Sequence, residues 1–323
     1  MMKAIRIHKT GGPEVLTVEE IPDPVVGPKD VLVEITASGL NFIDVYFREG
    51  IYPIPLPTTL GFEGAGVVVA IGKEVKDFKV NDFVAYVGIL GSYAKRSIVP
   101  ESRLVKVPKK IPLKKAAAMM VQGITAQYLT MSTFPLKKGD VCLVHAAAGG
   151  VGLLLCQIAK LLGAKVIGTV STEEKAKLAK DAGCDHVILY SKADFVPEVK
   201  QITKGIGVNV VYDGVGKATF EKSLDCLKPR GMMVLFGQAS GVVPPMDLGI
   251  LNRKGSLFVT RPGMNSYIET TQELRARAGQ VFDWVLKGQL NVHISREFSF
   301  EQISEAHKML EGRKTTGKVL IIP

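Results

Sequence analysis

"VCLVHAAAGGVGLLLCQIAKLLGAKVIGTVS", residues 141–171, decides the fold. A short apolar run, "VCLVH", leads into a glycine-rich turn. The apolar helical stretch "GGVGLLLCQIAKLLG" and a second strand-like run, "KVIGTV", follow. Inside the turn, Ala147-x-Gly149-x-x-Gly152 has the spacing of a dinucleotide-binding loop with alanine in its first position. Gly149 lets the backbone approach a pyrophosphate, and the helix N-terminus offers unpaired N–H groups and a positive dipole end. Gly152 permits close packing of helix on strand, while the first position needs only a tight turn, which alanine can make if its φ stays negative. A glycine-rich turn of any α/β protein is the plain alternative. The strand before and the helix after make nucleotide binding the stronger reading.

Outward from this stretch the same rhythm continues. "HVILY", "VNVVYD", "GMMVLFG" and "SLFVT" read as strands, and "TEEKAKLAKDAG", "VPEVKQITK" and "ATFEKSLDCLK" as helices between them. Such alternation predicts parallel strands joined by right-handed crossovers, a doubly wound Rossmann sheet running to about Arg261-Pro262. Upstream, "DVLVEITASG", "GAGVVVAIG", "DFVAYVG" and "RLVKVP" are β-like runs punctuated by Gly and Pro, which predicts an irregular, mostly β domain ending near Pro112. "LKKAAAMMVQGITAQYLTMS" then turns helical. The last sixty or so residues hold two helical stretches and a strand "GKVLIIP", too few to form a core of their own.

The bulk numbers fit two domains. At roughly 100–200 residues per domain, 323 residues exceed one small core. The apolar fraction of 46% and charged fraction of 22% are those of a soluble globular protein. "MMKAIRIHKTGG" has no signal-peptide core, and Gln157 and Lys160 break the apolar run after Gly152, so no membrane segment is expected. Cys142, Cys156, Cys184 and Cys226 form no CxxC pair and sit in apolar settings, as buried thiols in a reducing, cytoplasmic compartment would. The net charge of +10 is spread over scattered lysines and suits an anionic cofactor. It also permits nucleic-acid binding, but with no recognisable module this is at most a side activity.

The second strand bears on which nucleotide. A site for NAD normally ends that strand in Asp or Glu, about 20 residues after the glycines. Here it ends at Ser171, with Thr172 next; the first carboxylates, Glu173 and Glu174, belong to the following helix, and Lys175 lies in its first turn. Hydroxyls, a helix N-terminus and a lysine suit an adenosine 2′-phosphate, which favours NADPH. Ser171-x-x-Glu174 is also a capping box, which predicts Ser171 as the residue that starts the helix. The two roles are compatible.

"GDVCLVHAAAGGVGLLLCQIAKLLGAKVIGT", "GGPEVL", "GLNFIDVYFREGIYP", "GFEGAGVV", "YDGVG", "FGQASG" and "GRKTTGKVLIIP" resemble NADPH-dependent quinone oxidoreductases, the zinc-free, zeta-crystallin-like branch of the medium-chain dehydrogenase/reductase superfamily. The resemblance spans essentially the whole chain. It implies a GroES-like substrate domain over 1–122, a Rossmann NADPH-binding domain over 123–262, and a segment 263–323 that returns to complete the first. It further implies a cofactor cleft between the two domains, and usually a homodimer; pairing through the apolar edge strand "GSLFVT" would cover it. Zinc-dependent relatives carry Cys where this chain has Asn41 and His where it has Phe62. Neither supplies a zinc ligand, so no metal is expected. The chemistry left suits acceptors that delocalise the incoming charge: quinones first, alkenals and enones as the alternative, and a cofactor-bound structural or RNA-interacting role as a third reading.

By the same resemblance Asn41, Asp44 and Tyr46 are catalytic-site candidates facing the nicotinamide, Asn41 orienting carboxamide, ribose or substrate carbonyl and Tyr46 donating to a developing oxyanion. Thr125 falls near the nicotinamide, Gly149, Gly150, Val151 and Gly152 at the pyrophosphate, and Ser171, Thr172, Lys175, Tyr190 and Arg313 at the adenosine phosphate. Phe236 and Gly237, in the "FGQASG" motif, complete the cofactor set. Turn structure and packing are the plain alternatives for Asn41, Asp44 and Tyr46. His145, at the end of the first strand, reads as a satisfied structural histidine.

Overall fold

A computed structural model describes all 323 residues. The chain divides into two compact units, residues 1–124, 268–288 and 292–323 in one, 125–267 and 289–291 in the other.

In the first unit, β1 (Met2–Ile7), β2 (Thr17–Ile21), β3 (Asp30–Leu40), α1 (Phe42–Arg48), β4 (Thr58–Thr59), β5 (Glu63–Ile71), β6 (Phe83–Val87), β7 (Arg96–Pro100) and β8 (Leu104–Lys106) precede α2 (Leu113–Ala117) and α3 (Met120–Tyr128), where the chain passes into the second unit. There β9 (Val141–Val144), α4 (Gly150–Leu161), β10 (Lys165–Val170), α5 (Glu173–Asp181), β11 (His186–Leu189), α6 (Phe195–Ile202), β12 (Val208–Asp213), α7 (Phe220–Leu224), β13 (Leu227–Leu235), α8 (Gly249–Arg253) and β14 (Phe258–Thr260) alternate. The chain ends with α9 (Thr271–Leu286), β15 (Ile294–Ser299), α10 (Ile303–Glu311) and β16 (Lys318–Ile322), all in the first unit.

The second unit is a six-stranded parallel sheet in the order β11-β10-β9-β12-β13-β14. Its first strand in sequence, β9, lies inside, and the winding reverses between β9 and β12. Open α/β sheets offer ligand crevices outside the carboxyl ends of the strands at such a point. Cys142, Leu143 and Val144 are fully buried, as strands covered by helices on both faces require. On one face Leu143, Ile167, Val211 and Met233 pack with Phe195, Val199, Phe220 and Leu224 of the crossover helices. The helix expected over "ATFEKSLDCLK" is cut short. α7 stops at Leu224, and β13 already begins at Leu227, because Leu227 pairs with Val208 and is buried with Cys226.

The first unit holds a β2-β1-β4 sheet and a larger sheet in the order β15-β16-β3-β5-β6-β8, with β7 also on β3. β16 lies antiparallel to β3, with Val319 opposite Leu40. Phe298, Phe300, Ile303, Val319 and Ile321 pack into one core with Ile5, Ile7, Leu40 and Leu60, so the last segment supplies apolar surface that the first hundred residues lack.

Candidate functional site

The turn after β9 is built for close approach. The left-handed position falls on Ala146, at φ 51°, and not on Ala147, so the alanine in the motif's first place carries no backbone strain. A Cβ on Gly152 would run into the carbonyl oxygen of Ala146 and the backbone of Ala147, which explains the glycine there. Gly149 is the N-cap of α4, in an extended conformation, and brings no side chain to cap the helix. The first-turn amides of Gly150, Val151 and Gly152 therefore have neither an intrahelical acceptor nor a cap. They form a backbone cradle of the kind that a pyrophosphate fills, at the start of a 12-residue helix whose dipole favours an anion.

The carboxyl ends of β10 and β11 bring four more candidates together. Thr172, not Ser171, is the N-cap of α5; its Oγ1 accepts from the Lys175 amide at 3.3 Å. The expected cap was one residue early, because Ser171 is drawn into the next turn, where its carbonyl accepts from the Ser191 hydroxyl at 2.9 Å. Tyr190 precedes that serine and is exposed, its amide bonded to the Val170 carbonyl. Ser171, Thr172, Lys175 and Tyr190 thus share one rim. Glu173, the nearest carboxylate, is engaged by Lys192 at 2.6 Å.

Past β12 and β13 the turns are close-packed. Asp213 is buried and spends both oxygens on its own turn, accepting from the amides of Val215 and Gly216 and from the Thr219 hydroxyl. The amides of Phe236 and Gly237 both reach the Asp213 carbonyl, at 2.8 and 3.3 Å, which sets that segment beside Gly214. His145 has both ring nitrogens engaged at 2.9 Å, by Thr169 and Ser223, and burial lowers its pKa. Thr125 is buried within α3.

The remaining candidates belong to the first unit. Asn41 is the N-cap of α1, and the Asp44 carboxylate accepts from its amide at 2.8 Å. Its carboxamide is committed on both sides. Nδ2 donates to Glu63 Oε1 at 2.7 Å and to the Gly39 carbonyl at 3.2 Å, while Oδ1 accepts from Lys318 Nζ at 2.8 Å. Glu63 and Lys318 form an ion pair with no solvent exposure, and Glu63 Oε2 also accepts from the Val121 amide at 2.6 Å. Burial pushes the Asp44 carboxyl up to about 7, against the pull of the Asn41 amide and of Lys318; Asp44 Oδ1 and the neighbouring Tyr93 hydroxyl have no well-directed partner. Tyr46 lies edge-on to Tyr52, with ring centroids 5.5 Å apart. Phe62 is packed against Phe47. Arg313 is exposed in the turn after α10, with φ 57°. No three His, Cys, Asp or Glu side chains are gathered so as to hold a metal ion.

Sequence reasoning missed Glu63, Lys318, Arg48 and His307. Arg48 is fully buried at the far end of α1, bonded to the Gly11 carbonyl, to His307 Nδ1 at 3.0 Å and to Glu311 at 2.6 Å. A weak signal existed. Glu63 sits among small and apolar residues in "GFEGAG", and Lys318 opens the apolar strand "KVLII", places where a charge is buried with a partner.

Comparison with known proteins agrees with this architecture. Residues 27–109 match the alcohol dehydrogenase GroES-like domain and residues 150–276 the zinc-binding dehydrogenase family. A quinone oxidoreductase of Pseudomonas aeruginosa is 47% identical, with all of both chains covered. A 2-haloacrylate reductase of a Burkholderia species is 44% identical over all of this chain and 99% of the relative. The crystal structure of Escherichia coli quinone oxidoreductase complexed with NADPH superposes with a TM-score of 0.97, at 44% identity over 99% of this chain and all of that one.

Proposed function

This chain belongs to the quinone oxidoreductases of the medium-chain dehydrogenase/reductase superfamily, and on that premise we propose that it reduces quinones with NADPH. The observation that carries the reading is the uncapped start of α4, next to a β10 end that offers hydroxyls and a lysine in place of a carboxylate. In this reading the amides of Gly150, Val151 and Gly152, with Gly149, hold the pyrophosphate. Ser171, Thr172, Lys175, Tyr190 and Arg313 take the adenosine and its 2′-phosphate, and Phe236, Gly237 and Thr125 line the path to the nicotinamide. Residues 123–262 serve as the main cofactor-binding part; 1–122 and 263–323, Arg313 apart, serve the substrate.

NADPH supplies a hydride, and a proton from the medium completes the hydroquinone. The protein holds the quinone where its electron-poor ring can accept. The Tyr46 hydroxyl donates to the oxygen on which charge develops. Asn41, its carboxamide already bound within the protein, shapes the turn that presents Tyr46, and Asp44 closes that turn by accepting from the Asn41 amide.

Fluorescence titration with NADPH and NADH tests the cofactor assignment. NADPH binds more tightly to the wild type, and Lys175→Ala weakens NADPH by about tenfold, or about 1.4 kcal/mol, leaving NADH unchanged. Equal affinities in the wild type would remove the 2′-phosphate assignment. The 44% identical 2-haloacrylate reductase supports a second reading, reduction of an activated C=C bond. Turnover of a simple quinone beside an enone and a haloacrylate separates the two, and activity on the alkenes alone would reject quinone reduction. Salt-sensitive RNA binding without oxidation of NADPH by any quinone would instead favour the structural or RNA-interacting role.

The protein works as a cytoplasmic homodimer in this reading. β14 is an edge strand of three residues, with Phe258 56% and Val259 38% exposed, and a second copy would cover it. Light scattering is expected to give twice 34.9 kDa, and Val259→Lys to give the monomer. No helix is long and apolar enough to cross a membrane.

A further inference from the structure

Three strands bring Lys318, Asn41 and Glu63 together. β16 runs antiparallel to β3 with Val319 opposite Leu40 and Leu320 opposite Gly39, so Lys318 arrives beside Asn41. β5 pairs on the other side of β3 with Gly64 opposite Ser38, so Glu63 arrives level with Gly39. The lysine and glutamate side chains meet across Gly39. A Cβ there would run into both Glu63 Oε1 and Lys318 Cε, so the glycine is the opening through which the pair forms. Both charged groups have no solvent exposure.

We propose that Lys318 is a positioning residue for the reaction: its ammonium, held by Glu63, fixes the Asn41 carboxamide and through it the start of α1, which presents Tyr46. This rests on the reading of Tyr46 as a substrate-side donor. The arrangement admits one orientation of the carboxamide. Oδ1 faces an ammonium and Nδ2 faces a carboxylate and a carbonyl; the flipped amide would point donors at the ammonium and its oxygen at the carboxylate. The Asn41 backbone amide is held separately by Asp44, so the residue that starts α1 is fixed by both its side chain and its main chain. Tyr46 follows five residues on, within a helix of only seven, and takes its direction from that start.

The test combines kinetics with crystallography. In Lys318→Met, kcat for quinone reduction falls by at least about tenfold while the Kd for NADPH stays within about threefold, since the change acts on the reacting end alone. Lys318→Arg restores most of the loss. In an Asn41→Ala background, Lys318→Met has no further effect on kcat, because the lysine acts through the asparagine. Independent, additive losses overturn the proposal, as does unchanged kcat in a folded Lys318→Met. Should that variant fail to fold, Gly39→Ala keeps every charge and drives the pair apart; it is expected to show the same fall in kcat, and wild-type kcat in it overturns the proposal. A wild type that reduces no quinone would reject the functional reading alone. Crystallography of the variants then decides the positioning: a turned Asn41 carboxamide supports it, and a carboxamide unchanged without its lysine or its opening overturns it.

Discussion

The chain starts two helices at its candidate site residues, and it builds the two starts in opposite ways. At α4 the N-cap is a glycine, no side chain closes the first turn, and the amides stay available to an anion from outside. At α1 the N-cap is Asn41, with Asp44 bonded back to its amide and Glu63 and Lys318 holding its side chain. The far end of α1 is closed as well, by Arg48 with His307 and Glu311. The first start is made of backbone and offers binding; the second is made of buried charge and offers rigidity. Perturbations should separate them. Titration disturbs α1 and leaves α4 alone, while an added methyl group at Gly149 or Gly152 does the reverse.

The larger effect is expected from pH, because α1 is held by two buried groups shifted in opposite senses, its own Asp44 and His307 of α10, which is bonded to Arg48. Asp44 rises from 3.8 to about 7, chiefly through burial, with Lys318, Glu63 and Tyr93 also facing it. Its folded form therefore holds a proton that the unfolded chain has lost, and stability falls as pH rises from about 4 to 7. His307 drops from 6.5 to about 3, chiefly through burial and then through Arg48. It is neutral in the fold while the unfolded chain is protonated, so stability rises with pH up to about 6.5. From about pH 4 to 6.5 the two slopes cancel in the wild type. Asp44→Asn leaves the histidine exposed as the sole contributor, so that variant, compared with wild type, loses stability as pH falls through this window. His307→Gln loses it as pH rises. Each slope approaches about 1.4 kcal/mol per pH unit in urea unfolding series. Parallel curves for wild type and both variants would mean that neither group is shifted.

The same contrast governs what could be read from the sequence. The second unit was legible because its signals are local: apolar runs, glycine spacing and helical stretches follow one another within thirty residues. Where that reading slipped, a distant partner was responsible. α7 ends early because Leu227 is claimed by Val208, and the cap of α5 moves to Thr172 as Ser191 takes the Ser171 carbonyl. In the first unit Asn41, Asp44 and Tyr46 could be nominated only by resemblance. What holds Asn41 comes from residues 63 and 318, which meet through strand register, and a lysine at the head of an apolar strand is only a weak sign of a buried charge. Gly39 looks like an ordinary glycine until two side chains are seen to cross it.

Glycine substitutions at α4 give the smaller effects, and they divide the turn itself. Gly152→Ala places a Cβ against the Ala146 carbonyl and the Ala147 backbone, neither of which can rotate away. The helix must shift off β9, at a cost of about 1–3 kcal/mol in stability, and NADPH affinity falls with it because the first-turn amides move. Gly149→Ala meets only the Ala146 oxygen, at 3.1 Å, from a backbone that any residue can adopt (φ −75°, ψ 174°). Its stability should stay within about 0.5 kcal/mol of wild type, and only the approach of the pyrophosphate is hindered, a loss of affinity of a few fold. The pair therefore distinguishes packing from binding. If Gly149→Ala proved the more destabilising of the two, the turn would be held by its cap, and the contrast with α1 would be lost. If neither changed NADPH affinity, the cofactor would not lie on this helix at all.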